Sequence, residues 1–264
     1  MSAPGDFRRA PSVTPAIAEL SISVSSDGAA EAEEAAMALR AFDVGLGGEI
    51  APFAAVLLRS ESAASSQIEN LSASARKIAE AEVNGSGTEH AEMIVGNVRA
   101  MTAALDLAST LDADAILTMH DALMSATEPE IAGRWRTDQV WIGGRATFGP
   151  GSPHDADFVP PVAARVPDAM RDLMSFARRG DLLVVPQVAL MHAQFETIHP
   201  FPDGNGRTGR ALMHAALRAK AVTQHVSVPI SAGLLADTAG YFWPSPTTEA
   251  AIRTPSSGAS PEHP

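Results

Sequence analysis

The sequence predicts a mostly α-helical domain interrupted by a single β-hairpin, and two observations carry that expectation. From Ala29 onward, alanine, leucine and glutamate recur at helical spacing between glycine, proline and asparagine breaks. The segment Gly133–Gly144 (GRWRTDQVWIGG) instead combines alternation with β-branched residues and ends in a glycine pair, which reads as a hairpin arm. No internal repeat or heptad run is present.

The elements follow in order. Residues 1–28 are rich in Ser, Pro and Ala and read as a mobile segment, apart from a short apolar stretch at Ile17–Val24. A helical region spans 29–110, with helices predicted over Ala30–Phe42 and about Pro52–Ala81. Asn84-Gly85-Ser86-Gly87 breaks the pattern, and Thr88 is placed to cap a helix over Glu89–Leu107. Asp112 opens a further helix ending near Met124, inside a main domain set at 111–242. Beyond the hairpin, Gly149–Pro153 is a loop, and a helix over about Val162–Arg178 stops at Gly180. Leu183–Thr197 is strongly apolar and helical, and Thr208–Lys220 (TGRALMHAALRAK) is a good helix former. Trp243–Pro264 is rich in Pro and Ser with little apolar content and reads as a disordered tail.

Bulk properties exclude several function classes. A chain of 264 residues can bury one substantial core. Zero cysteines remove disulfides, zinc ribbons and thiol nucleophiles together. A formal net charge of -12, without a basic cluster, argues against broad nucleic-acid binding. Two arginines near the N-terminus have no apolar run behind them, so neither a signal peptide nor a membrane span is expected. A cytoplasmic setting is the expectation.

The chemistry concentrates in His199-Pro200-Phe201-Pro202-Asp203-Gly204-Asn205-Gly206-Arg207-Thr208-Gly209-Arg210. Pro200 and Pro202 cannot sit inside a regular helix, so the glycines fall where a helix N-terminus emerges and unpaired backbone N–H groups can face an anion. Gly204 and Gly206 allow backbone amides to approach phosphate oxygens. Arg207 and Arg210, three apart, place two guanidinium forks on one helical face as phosphate clamps. Asp203 is a hard oxygen ligand suited to Mg²⁺ held by one carboxylate plus substrate phosphates. His199 titrates near neutrality and can take a proton from an attacking hydroxyl.

This string resembles the signature of the Fic family, His-x-Phe-x-(Asp or Glu)-Gly-Asn-Gly-Arg-x-x-Arg, with every fixed position filled. The resemblance implies a Fic-like helical domain in which His199 is the general base and Asp203 holds Mg²⁺ between the α- and β-phosphates of ATP. It further implies that Gly204, Asn205 and Gly206 cradle the phosphates, that Arg207 holds the α/β-phosphates and Arg210 the γ-phosphate, and that Phe201 anchors the loop in the core. Ser65-Ser66-Gln67-Ile68-Glu69-Asn70 resembles the inhibitory motif of the same family, Ser/Thr-x-x-x-Glu-Gly/Asn. The expectation is that Glu69 pairs with Arg210 and keeps the γ-phosphate from binding productively.

By the same resemblance, Val140–Phe148 is similar to the flap, placed at about 138–150, that docks a target protein as an added strand. The implied reaction is transfer of AMP from ATP to Ser, Thr or Tyr hydroxyls of target proteins, with self-modification and a homodimer among the possible partners. Resemblance extends to Phe242 and then stops, which suggests a truncated or altered C-terminus. A Doc-like phosphotransferase and a catalytically silent interaction module are the rival readings.

His192, Glu196 and His199 stand at i, i+4 and i+7 and, with Asp203, could be drawn as a transition-metal hydrolase site. Pro200 ends the helix where a third ligand needs rigid support, and that reading leaves the glycines and arginines idle. His192 reads instead as a hydrogen-bonded histidine behind the loop, and Glu196 as a supporting or capping group. His90, His120, His154, His214, His225 and His263 present no partner pattern.

Overall fold

A computed structural model describes residues 10–47, 51–143, 156–225 and 227–238. Among them the chain forms helices α1 (Ser26–Gly47), α2 (Ala51–Ile68), α3 (Ala75–Asn84), α4 (Glu89–Asp106), α5 (Ala113–Met124), α6 (Val166–Ala177), α7 (Val184–Ile198), α8 (Asn205–Ala219) and α9 (Ile230–Ala236). The fold is mostly helical, as the alanine- and leucine-rich periodicity predicts. None of the described helices is long and apolar enough to cross a membrane.

The core lies between α4, α5, α6, α7 and α8, where Met101, Ile116, Met119, Met170, Phe176, Phe195 and Leu212 are fully enclosed. Methionine fills gaps between helices of unequal spacing, which suits a core with few aromatics. α7 and α8 pack against each other with the 199–204 loop between them, and α4 lies against α2, α5 and α8. The catalytic-type motif is therefore the turn between two core helices, which gives it a rigid support.

Several boundaries differ from the sequence expectation, each for a local reason. The helix expected over Pro52–Ala81 is two: Asn70 adopts φ 61, which ends α2, and Ser74 opens α3 by accepting the Lys77 N–H. Asn tolerates the left-handed region better than most residues, but propensity alone does not reveal where it is used. Thr88 occupies the cap of α4 without a side-chain bond; Glu92 instead accepts the Gly87 N–H at 2.7 Å. Asp112 caps α5 as expected, accepting the Ala115 N–H at 2.9 Å.

The N-terminal stretch is the larger surprise. Residues 12–16, which the sequence reads as mobile, lie along α6 and α7 together with the apolar stretch that begins at Ile17. Asp172 accepts the N–H groups of Ile17 at 2.6 Å and Ala18 at 3.1 Å, and Gln194 donates to the Pro15 carbonyl at 2.8 Å. Ile17 is buried in the core. Ile17, with the partly buried Leu20 and Ile22 packed against the same core, anchors the segment while neighbouring side chains take its backbone groups.

Of the expected β-hairpin, the described residues show one bridge. Among the described residues no ladder forms; the arms meet through one antiparallel bridge, Ile142↔Phe158. Pro160 and Pro161 follow Phe158 and have no N–H to extend the pairing on that side. The rest of the flap expected at 138–150, from 144 on, lies outside the described residues, as does the tail expected at 243–264.

Candidate active site

The motif loop starts where α7 stops. His199 caps α7 with φ 49 and ψ 64, and its N–H donates to the Phe195 carbonyl at 2.9 Å. A left-handed conformation at a non-glycine residue is costly and turns the chain sharply out of the helix. Burial pushes the His199 imidazole down to about 4, against a pull upward from the Glu196 backbone carbonyl. The ring is thus neutral at physiological pH and able to accept a proton.

Phe201 anchors the loop. Its ring is fully buried, stacked face to face on His120 with centroids 3.6 Å apart and flanked by Trp135 at 5.0 Å. Asn205 reaches back to the same residue: the Phe201 N–H donates to Asn205 Oδ1 and Asn205 Nδ2 donates to the Phe201 carbonyl, both at 2.9 Å. The Asn205 side chain thereby closes the loop on itself, leaving its backbone N–H for the helix N-terminus.

That N-terminus begins earlier than propensity suggests. α8 starts at Asn205 rather than Thr208, because Gly204 at φ 75 caps it and Thr208 N–H already bonds the Gly204 carbonyl at 3.0 Å. The uncommitted amides of a first turn therefore belong to residues 205–207, the glycine-bearing stretch. A Cβ on Gly206 would lie 2.4 Å from Glu69 Oε1, so the missing side chain is what lets a carboxylate approach this turn.

Two buried guanidinium groups face that carboxylate. Arg210 Nη2 lies 2.7 Å from Glu69 Oε1, and Arg207 Nε lies 2.8 Å from Glu69 Oε2. The second pair is an ion pair by distance without hydrogen-bond alignment, and Arg207 Nη1 makes no hydrogen bond among the described residues. Ser65 completes the clamp, accepting from Arg210 Nε through Oγ at 2.8 Å and from Nη2 through its carbonyl at 2.9 Å. Asn70, the last position of the inhibitory-type motif, sits at φ 61, which explains why Gly or Asn suits it.

The contact continues down the helices. Glu61 and Ser65 on α2 and Glu69 in the turn just after it meet His214, Arg210 and Arg207 on α8, an antiparallel polar face. At its far end Glu61 and His214 pair at 3.0 Å while Ser231 of α9 donates both its N–H and its hydroxyl to Glu61. Buried polar groups need such saturation by partners.

Asp203 stands at the rim with its side chain half exposed, 3.4 Å from Arg207 Nη2. Among the described residues no three His, Asp or Glu side chains gather to hold a metal ion, so His192, Glu196, His199 and Asp203 do not converge as a transition-metal hydrolase site. His192 lies buried against Gly209 and Arg210, and burial first, then the Arg210 charge, lowers it to about 4. Burial raises the Glu196 carboxyl to about 7, partly offset by Arg210.

Two site residues escape sequence reasoning. His120 of α5 accepts the Gly133 N–H through Nδ1 at 3.1 Å and donates from Nε2 to the Asp203 carbonyl at 3.1 Å, which fixes one neutral tautomer. Burial lowers it to about 4, in keeping with that form. Arg136 is buried and gives its N–H groups to carbonyls around the start of the loop.

Residues 110–217 match the model of the Fic/DOC family. The chain carries a Fic/DOC family domain. Within that domain fall α5, α6, α7 and nearly all of α8, hence His120, Arg136 and the whole 199–210 loop, whereas Glu69 enters from the turn after α2, outside it. The Fic/DOC relatives include a probable protein adenylyltransferase of Aquifex aeolicus, 44% identical over 63 residues, or 24% of this chain and 20% of that protein. The protein adenylyltransferase Fic of Drosophila willistoni is 33% identical over 102 residues, 39% of this chain and 18% of that one. The matched stretches thus amount to about a fifth of these curated relatives. A Fic family protein from Desulfovibrio desulfuricans shares the fold with a TM-score of 0.60 at 22% identity, covering 83% of this chain and 66% of that one. Fic-1 from Caenorhabditis elegans does so with a TM-score of 0.60 at 20% identity, covering 81% and 64%. The likeness to these Fic structures reaches well beyond the 108 residues of the family match, which accords with the N-terminal helices packing as part of one body.

Proposed function

We propose that this chain transfers AMP from ATP to a Ser, Thr or Tyr hydroxyl of a protein, and that Glu69 restrains the reaction. One observation carries the reading: two buried arginines and a glycine-opened helix N-terminus converge on a single anion, the chain's own Glu69 carboxylate, and such a cup suits a phosphate. The named relatives, protein adenylyltransferases, support the reaction class.

When ATP replaces Glu69, Arg207 and Arg210 clamp phosphate oxygens and the α8 amides receive the α- and β-phosphates. His199 takes the proton of the attacking hydroxyl. The oxygen bonds to the α-phosphorus, the bond from that phosphorus to the bridging oxygen breaks, and pyrophosphate departs. Phosphate charge near the imidazole raises its basicity from the low value of the Glu69-bound state toward the working range. Asp203 fits Mg²⁺: it is one half-exposed hard oxygen beside the phosphate cup, and this ion takes its other ligands from phosphates and water. Bound there, Mg²⁺ neutralises charge on the phosphates.

Target docking on the flap at about 138–150, self-modification, homodimer formation and a cytoplasmic setting belong to the same proposal. The test is incubation of the Glu69→Gly variant with ATP labelled at the α- or the γ-phosphate. Protein labelled from the α-position alone supports AMP transfer; labelling from the γ-position identifies a phosphotransferase, and labelling from neither favours an interaction module.

A further inference from the structure

We infer that Arg136 is a positioning residue that holds His199 in its left-handed conformation and so aims the imidazole. The inference rests on the reading of His199 as the general base and extends it to a residue 63 positions away.

The geometry is unusual for a buried arginine. Arg136 is 3% exposed, and its guanidinium bonds run to backbone carbonyls: Nε to His199 at 2.8 Å, Nη1 to Asp138 at 2.9 Å, and Nη2 to Ile198 at 3.4 Å and to Pro161. Its own N–H bonds the Pro200 carbonyl at 2.9 Å. Three successive carbonyls, those of Ile198, His199 and Pro200, are thus taken by one residue. Those of Ile198 and His199 are left without helical partners at the end of α7, where the helix dipole is negative and a cation is favoured. Residue 199 carries a φ of 49, which a non-glycine residue keeps only when its surroundings over-determine it. The N–H of His199 is fixed by Phe195 and its carbonyl by Arg136, so both sides of the strained residue are held. The remaining bonds, to Asp138 and Pro161, anchor the guanidinium itself.

None of these bonds touches Gly204, Gly206, Arg207 or Arg210. Loss of Arg136 should therefore misplace the base without emptying the phosphate cup. Lysine cannot substitute, because an ammonium is a point charge that cannot span four carbonyls in a plane.

The test uses the full chain carrying Glu69→Gly, compared with the same chain carrying in addition Arg136→Lys, Arg136→Gln or His199→Ala. Arg136→Lys and Arg136→Gln are expected to lower kcat by about 10- to 100-fold, the range set by a misplacement near 1 Å. The Kd for ATP with Mg²⁺ should stay within about twofold, and KM for ATP should follow it. Unchanged kcat in both Arg136 variants, with transfer abolished by His199→Ala, overturns the inference alone. Full transfer in His199→Ala overturns the general-base reading and the inference with it. Equal losses in kcat and ATP affinity overturn it as well, since they mark general disruption of the loop. A crystal structure of the Arg136→Lys variant reads the same point without activity: φ of residue 199 should leave the left-handed region, and a value still near 49 with an unmoved carbonyl contradicts the claim.

Discussion

Glu69 Oε1 accepts a hydrogen bond from Arg210 Nη2 at 2.7 Å, although the two residues stand 141 positions apart in the chain. The pair joins the turn that follows α2 to α8, which carries Arg207 and Arg210, and the Glu69 side chain retains 27% exposure.

Removing that carboxylate leaves Arg207 and Arg210, each with a side chain only 2% exposed, short of compensating charge. Glu69→Gly should lower the stability of the nucleotide-free protein by about 3 kcal/mol. ATP with Mg²⁺ should restore most of it, since binding to the folded state alone stabilises by mass action. Thermal melts with and without nucleotide check both halves, and the wild type should gain less from ATP than the variant.

Asn205→Ala removes two hydrogen bonds to Phe201 and leaves a buried N–H and carbonyl unmet. The expected cost is about 2–4 kcal/mol, with transfer falling alongside it. Denaturant titration measures the first; a midpoint equal to wild type counts against the role given to this side chain.

Glu196 and three histidines give opposite pH dependences. His120, His192 and His199 are each lowered to about 4, so the stability they contribute is full above about pH 6.5 and is lost as pH falls toward 4. Glu196 is raised to about 7, so the folded state holds its proton more tightly and stability declines as pH rises from about 4.5 to 7. Glu196→Gln should therefore be more stable than wild type at pH 8, by on the order of 3 kcal/mol, and nearly equal to it at pH 4. Stability curves measured at the two pH values decide this.

The membership of the candidate site was legible because it resides in side-chain types at fixed spacing. Asp203, the glycines, Arg207 and Arg210 need no tertiary information to be read as a phosphate turn, and Glu69 was legible only because its motif points to Arg210. His120 and Arg136 were not legible, because their partners are backbone carbonyls and N–H groups, which carry no residue identity. The start of α8 was missed by three residues because Gly204 caps it from a left-handed conformation, a choice invisible to helix propensity. The split of α2 from α3 at Asn70 is invisible to propensity for the same reason.

Asp203→Ala should leave the melting temperature within about 2 °C of wild type, because the side chain is half exposed and its contact with Arg207 is long. Turnover in the Glu69→Gly background should fall at least about 100-fold and regain little when Mg²⁺ is raised. Rate measurements across a Mg²⁺ titration check this, and a rate equal to that of the parent removes Asp203 from the metal site.

The most direct measurement is the rate at which α-phosphate label from ATP becomes attached to protein, compared between wild type and Glu69→Gly at equal concentration. A rise of about tenfold or more, abolished by adding His199→Ala, is the predicted result. Equal rates in the two proteins would mean that Glu69 does not occupy a place the nucleotide needs, and would contradict the account.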